Sequence, residues 1–141
     1  MKRTGTAVWT GGLKDGKGKL STQSGTLKDT AYNFSARFES GAGTNPEELI
    51  AAAHAGCFAM AFSAQLGAAN ITPASIEAAA EVSLEKQDAG FAITSSHLRV
   101  KAKAPGADRA AVEKAAGEAK ANCPVSRLLN AKITMDLTVE V

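Results

Sequence analysis

Little in this chain points outward. Its net charge is only +2, from 16 basic and 14 acidic residues, and the lysines are scattered rather than clustered. Neither a nucleic-acid partner nor an anionic membrane surface is therefore expected. No apolar leader follows Met1-Lys2-Arg3, where strand-like residues begin at once, and a cytoplasmic protein is expected. The chain carries no internal repeat and no low-complexity segment. Its two cysteines, Cys57 and Cys123, lie far apart and match no zinc or Cys-x-x-Cys spacing. In a cytoplasm such thiols stay reduced, so a disulfide between them would be catalytic or sensory rather than structural.

Charge is missing altogether from one long stretch. After Glu48 no charged residue occurs until Glu77, and the run to Ala69 is rich in Ala, Leu, Met and Phe. Its opening, Thr44-Asn45-Pro46-Glu47-Glu48, is a helix start. Asn45 suits the N-cap, Pro46 the first helical position, and Glu48 the N3 position of a capping box. A helix of twenty-odd residues makes a rod of roughly 30 Å. That is long enough to test as a membrane span. The run is mostly alanine, contains His54 and Gln65, and has no aromatic or basic anchors at its ends. It is read as a buried helix of a protein without a membrane span. One sheet can cover only one face of such a helix, and a second copy of the chain is the simplest cover for the other.

The rest of the chain reads as strands and two further helices. Strands are expected at 4–10, 19–23 and 31–38, the last because Tyr32, Phe34, Ala36 and Phe38 alternate with Asn33, Ser35 and Arg37. After the long helix, 75–85 and 91–104 alternate on either side of a hairpin turn at Lys86-Gln87-Asp88-Ala89-Gly90. The apolar parity of the second of these strands shifts near Ser95-Ser96, which calls for a bulge or twist. Residues 107–121 make an amphipathic helix. Cys123-Pro124 opens a short one, with Cys123 as N-cap, and 133–141 alternate as a last strand. The chain is long enough for one domain, 1–141, of α+β class with largely antiparallel sheet around the central helix.

Taken by itself, Cys57 is a poor nucleophile, because apolar surroundings raise a thiol's pKa and only the thiolate attacks. It needs a cation, and Arg37 is the candidate, although a solvent-facing strand residue is the plainer reading. Glu47 and Glu48 suit a helix N-terminus without further duty. Cys123, at the start of a short helix, has a thiolate favoured by free N–H groups; a small core residue before a helix is the plain alternative. His54 lies about one turn before Cys57. A Cys–His hydrolase pair is thus conceivable, yet no Asn or Asp at helical spacing stands ready to orient the imidazole.

These residues resemble a known family. The segments Arg37-Phe38-Glu39, Gly43-Thr44-Asn45-Pro46-Glu47-Glu48-Leu49-Ile50 and Ala52-Ala53-His54-Ala55-Gly56-Cys57-Phe58 resemble the OsmC/Ohr thiol peroxidases. So do Val82-Ser83-Leu84-Glu85, Asp88-Ala89-Gly90-Phe91 and Cys123-Pro124-Val125-Ser126. The resemblance is to the OsmC branch, because the Ohr branch carries its essential arginine in the early glycine turn. Here that turn reads Gly11-Gly12-Leu13-Lys14-Asp15. The resemblance implies an intertwined homodimer and a cofactor-free, metal-free peroxidase for organic hydroperoxides and hydrogen peroxide. It implies that Cys57 attacks the peroxide and becomes a sulfenic acid, and that Cys123 resolves it as a disulfide. A dithiol reductant, of dihydrolipoyl or thiol-reductase type, would then regenerate both thiols. Arg37 would hold Cys57 ionised, with Glu47 fixing the guanidinium. Glu47 precedes Cys57 by ten residues, roughly 15 Å along a straight helix, so a Glu47 that serves the site is expected from a partner's antiparallel helix. The alternatives are a redox-sensing thiol protein that does not turn over and the Cys–His hydrolase. In the hydrolase, His54→Ala abolishes activity; in the peroxidase, little loss is expected.

Overall fold

A computed structural model describes residues 1–141. Contacts within the chain divide it into two compact units, Met1–Leu49 and Ile50–Val141, and each is taken by itself.

The first unit holds an antiparallel sheet in the order β1 (Gly5–Thr10), β2 (Lys17–Thr22), β3 (Thr30–Tyr32). Trp9 and Tyr32 pack ring against ring, 5.4 Å apart, across it. The Tyr32 ring lies so close over Gly18 that a Cβ there would overlap it. The third strand is shorter than its alternation suggests. It stops at Tyr32, and Phe34–Phe38 form a short helix, α1, that carries Arg37. Asn33 is the reason: its side chain caps the turn by accepting the Ala36 N–H at 2.8 Å, which competes with strand pairing. The expected strand face of Asn33, Ser35 and Arg37 therefore does not exist. Phe34 and Phe38, one turn apart, stack at 4.8 Å instead.

The long helix, α2 (Pro46–Ala68), begins in this unit. Asn45 accepts the Glu48 N–H at 2.8 Å, as an N-cap should. The reciprocal half of a capping box is absent, since the Glu48 carboxylate accepts the Thr44 hydroxyl at 3.0 Å. Asn45 also donates to the Ala36 carbonyl, tying the start of α2 to α1.

In the second unit, β4 (Ser75–Gln87) and β5 (Gly90–Lys103) form a long hairpin, and β6 (Lys132–Glu140) lies parallel to β5. The hairpin turns at Asp88-Ala89, with Gly90 at φ 116°, a conformation that favours glycine. Ser83 pairs with Ser95 but Leu84 with Ile93, so Thr94 is one residue extra. That bulge is the origin of the parity shift along β5. The return from β5 to β6 runs through α3 (Arg109–Asn122) and α4 (Pro124–Leu128). Asp108 caps α3 by accepting the Ala111 N–H.

One stripe of α2 faces the core of this unit. His54, Phe58, Phe62 and Leu66, spaced by four, are all fully buried. Phe58, Phe62 and Leu66 share one apolar cluster with Leu98, Val100 and Ala102 of β5 and Val112 and Ala116 of α3. Asn70, at φ 58°, ends the helix in the left-handed conformation, and the Ile71 N–H returns to the Leu66 carbonyl.

Candidate active site

Two chemically distinct centres lie in the two units. In Ile50–Val141, the Sγ atoms of Cys57 and Cys123 are 2.8 Å apart, both as free thiols. Their positions follow from local structure. Cys57 lies beside the buried stripe of α2, partly exposed; Cys123 lies between α3 and α4 and is fully buried. Pro124 supplies the first helical position of α4, so the Val125 and Ser126 amides point back at the sulfurs.

Burial pushes the Cys57 thiol above its ordinary value, and the hydrogen bond shared with Cys123 pushes it the same way; only the Val125 amide opposes them. Burial would also raise Cys123. Hydrogen bonds from Cys57, from the Ser126 and Val125 amides and from the Ser126 hydroxyl outweigh that and hold it below its ordinary value. Either sulfur can carry the shared proton, but these donors favour the anion on Cys123. None of the groups acting on the two thiols within residues 50–141 is a cation. The expectation that Cys57 alone is a weak acid, and that Cys123 gains from a helix start, matches this arrangement.

His54, buried in the same unit, touches neither sulfur. Its Nδ1 is 2.7 Å from Ser96 Oγ and its Nε2 is 2.8 Å from Ser126 Oγ. Burial lowers its pKa, so the ring is neutral at pH 7. With both nitrogens taken, His54 has no nitrogen left to act as a base on Cys57, which removes the geometry a Cys–His hydrolase requires. The sequence offers only faint signals for the two serines. Ser126 stands in the Cys-Pro-Val-Ser segment, and Ser96 lies at the parity shift of β5.

In Met1–Leu49, Arg37 and Glu47 form a bidentate pair. Arg37 Nη2 and Nε donate to Glu47 Oε1 at 2.8 and 3.2 Å, and Nε also reaches Oε2 at 3.2 Å. Glu47 is buried, whereas the Arg37 side chain keeps 38% of its exposure. A carboxylate held in this way fixes the guanidinium plane. The Arg37 guanidinium also lies 5.2 Å from the Phe38 ring centre. Glu47 rather than Glu48 is the partner. Trp9, Leu13, Tyr32, Phe34 and Phe38 line a concavity of about 310 Å³ that Arg37 borders.

Comparison with known proteins gives these residues a context. Residues 39–138 match the family model described as OsmC-like protein. The chain is 52% identical to the peroxiredoxin OsmC of Escherichia coli (strain K12), over 96% of this chain and 95% of that one. Among solved structures it superposes on an organic hydroperoxide resistance protein OsmC from Legionella pneumophila. The TM-score is 0.68 and the identity 28%, covering 98% of this chain and 97% of that one. OhrB of Bacillus subtilis gives a TM-score of 0.67 at 25% identity, covering 97% and 98%.

Proposed function

This chain belongs to the OsmC-like family, and from that premise we propose that it reduces hydroperoxides through Cys57, with Cys123 as the resolving thiol. It is a cysteine-based hydroperoxide peroxidase, a thiol-dependent oxidoreductase. The 2.8 Å approach of the two sulfurs carries the assignment of residues. A disulfide needs an S–S distance of about 2.05 Å, so the two side chains need only a small adjustment to join.

Exposure decides which sulfur meets the peroxide. Cys57 is partly open, whereas Cys123 is fully buried. The Cys57 thiolate attacks the O–O bond, the alcohol or water leaves, and a sulfenic acid remains. Cys123 then displaces hydroxide from that sulfur, and a dithiol reductant reopens the disulfide. Organic hydroperoxides are the preferred substrates, since the concavity beside Arg37 is lined by aromatic and aliphatic side chains.

The raised Cys57 thiol needs a positive charge, and the fixed guanidinium of Arg37 is suited to supply it. We assign that role to the Arg37–Glu47 pair of a second copy of the chain. Two observations support a homodimer. The helix places Glu47 and Cys57 ten residues apart, a rise of roughly 15 Å. The most apolar window of α2 is only 22% buried, and Met60 on it is 78% exposed. A partner helix covers that face in a soluble, cytoplasmic protein built from one OsmC-like domain per chain.

Thiol counting before and after one equivalent of cumene hydroperoxide tests the cycle. Wild type should lose both thiols and Cys57→Ser none, while Cys123→Ser should stop at a sulfenic acid or over-oxidise. Continued consumption with excess dithiol separates an enzyme from a sensor, which would stop after one equivalent.

A further inference from the structure

The peroxidase cycle leaves one buried group without a task. His54 is fully enclosed, bonded to Ser96 on one side and Ser126 on the other, and the three join elements 42 and 72 residues apart in sequence. The directions of these two bonds follow the tautomer of His54. Cys123 is the N-cap of α4 and Ser126 lies in its first turn; with the Ser126 hydroxyl donating to the sulfur, its oxygen accepts from His54 Nε2–H. Nδ1 is then the acceptor, and Ser96 must donate to it. The result is one directed chain: Ser96 to His54, His54 to Ser126, Ser126 to Cys123. No buried polar side-chain atom is left unsatisfied.

We propose that His54 and Ser96 are positioning residues for the resolving step, aiming the Ser126 hydroxyl at Cys123 so that its sulfur is ready to attack the sulfenic acid at Cys57. This rests on the peroxidase reading given above. In that step the lone pair of the Cys123 thiolate forms the S–S bond and the S–O bond of Cys57 breaks. Hydroxide leaves and takes up the proton that Cys123 released, departing as water. The oxidant is the hydroperoxide already consumed at Cys57. Lined up toward the sulfur, the chain stabilises the anion that attacks. Ser96, bonded to Nδ1, fixes the orientation of the ring, and so acts on the sulfur only through it.

A merely structural role would weaken the fold and slow both chemical steps together. The positioning role separates them. Full-length reduced protein is mixed with one equivalent of cumene hydroperoxide. Rapid-quench mass spectrometry then follows the sulfenic acid as it forms and as it closes to the disulfide. His54→Leu should form the sulfenic acid within about twofold of the wild-type rate. It should close the disulfide about tenfold to a hundredfold more slowly, the effect of losing a hydrogen bond to a charged group. His54→Gln keeps one donor and one acceptor and should recover most of the closing rate. Should His54→Leu not fold, Ser96→Ala carries the test, with closure slowed by about threefold or more and formation unchanged.

Closure at the wild-type rate in the variants, equal slowing of both steps, or a Gln variant as slow as Leu would each overturn the proposal. Failure of wild type to form any sulfenic acid is a different result, and would sink the peroxidase cycle itself. The expectation that replacing His54 costs little is accordingly narrowed to the first step; the second should feel it.

Discussion

Residues 1–49 and residues 50–141 hold their shape by different means. In the first unit β1 is exposed along its whole length, and Ala36 is the one apolar side chain that is buried. Side-chain caps and an ion pair do the work: Asn33 on α1, Asn45 on α2, Arg37 on Glu47. The second unit has an apolar core in which Phe58, Phe62, Leu98 and Val112 are fully buried. There the only buried polar side chains form the closed run Ser96–His54–Ser126. One unit offers a fixed positive charge. The other offers two sulfurs in surroundings that disfavour charge on Cys57.

The division can be broken from the sulfur side first. Cys57→Ser should lower peroxide turnover by on the order of 10³-fold or more, as removal of a nucleophile does in other enzymes. Steady-state assays with cumene hydroperoxide and a dithiol read this, and the melting temperature should barely move. Phe62→Ala strikes the apolar core instead. It should cost about 3–5 kcal/mol in urea unfolding, and an unchanged midpoint would mean that the two units are packed more alike than their burial indicates. Arg37→Leu should slow turnover by about 10²–10³-fold, in line with loss of one well-placed electrostatic group. Its stability should also fall, by about 1–3 kcal/mol, because the buried Glu47 carboxylate is left without its partner.

A smaller effect separates the units by pH. His54 has a folded pKa below its ordinary 6.5, so the unfolded chain binds the extra proton first. Its contribution to stability is complete above about pH 6.5 and is lost as pH falls from there through the folded value. His54→Gln should flatten the fall in urea stability across that window. The smallest change belongs to the open sheet. Val8→Ala, at a position 63% exposed, should shift stability by no more than about 0.5 kcal/mol.

How much of this was legible in the sequence depended on reach. The start of α2, the hairpin, the parity shift now placed at Thr94, and the Cys-Pro start of α4 are local signals, and they gave the right elements. The short helix carrying Arg37 was misread as strand. Five residues, Phe34 to Phe38, satisfy alternation and a single helical turn equally well, and one Asn33 side-chain bond decides between them. The pairing of Arg37 with Glu47 spans only ten residues and was accessible through the family resemblance. The His54 partners were not, because Ser96 and Ser126 arrive from β5 and α4, and nothing in the spacing of a histidine and two serines marks them. Long-range polar contacts leave no period in a sequence.

The Val125 amide works to lower the pKa of both thiols. It is locked in the opening turn of α4 and cannot rotate away, so it sits at a fulcrum between two anions that never need to exist together. As electron density tips from one sulfur to the other, the same N–H remains in place beneath it. Pro124, at the first position of that turn, is thereby tied to both sulfurs although it bears no reactive atom.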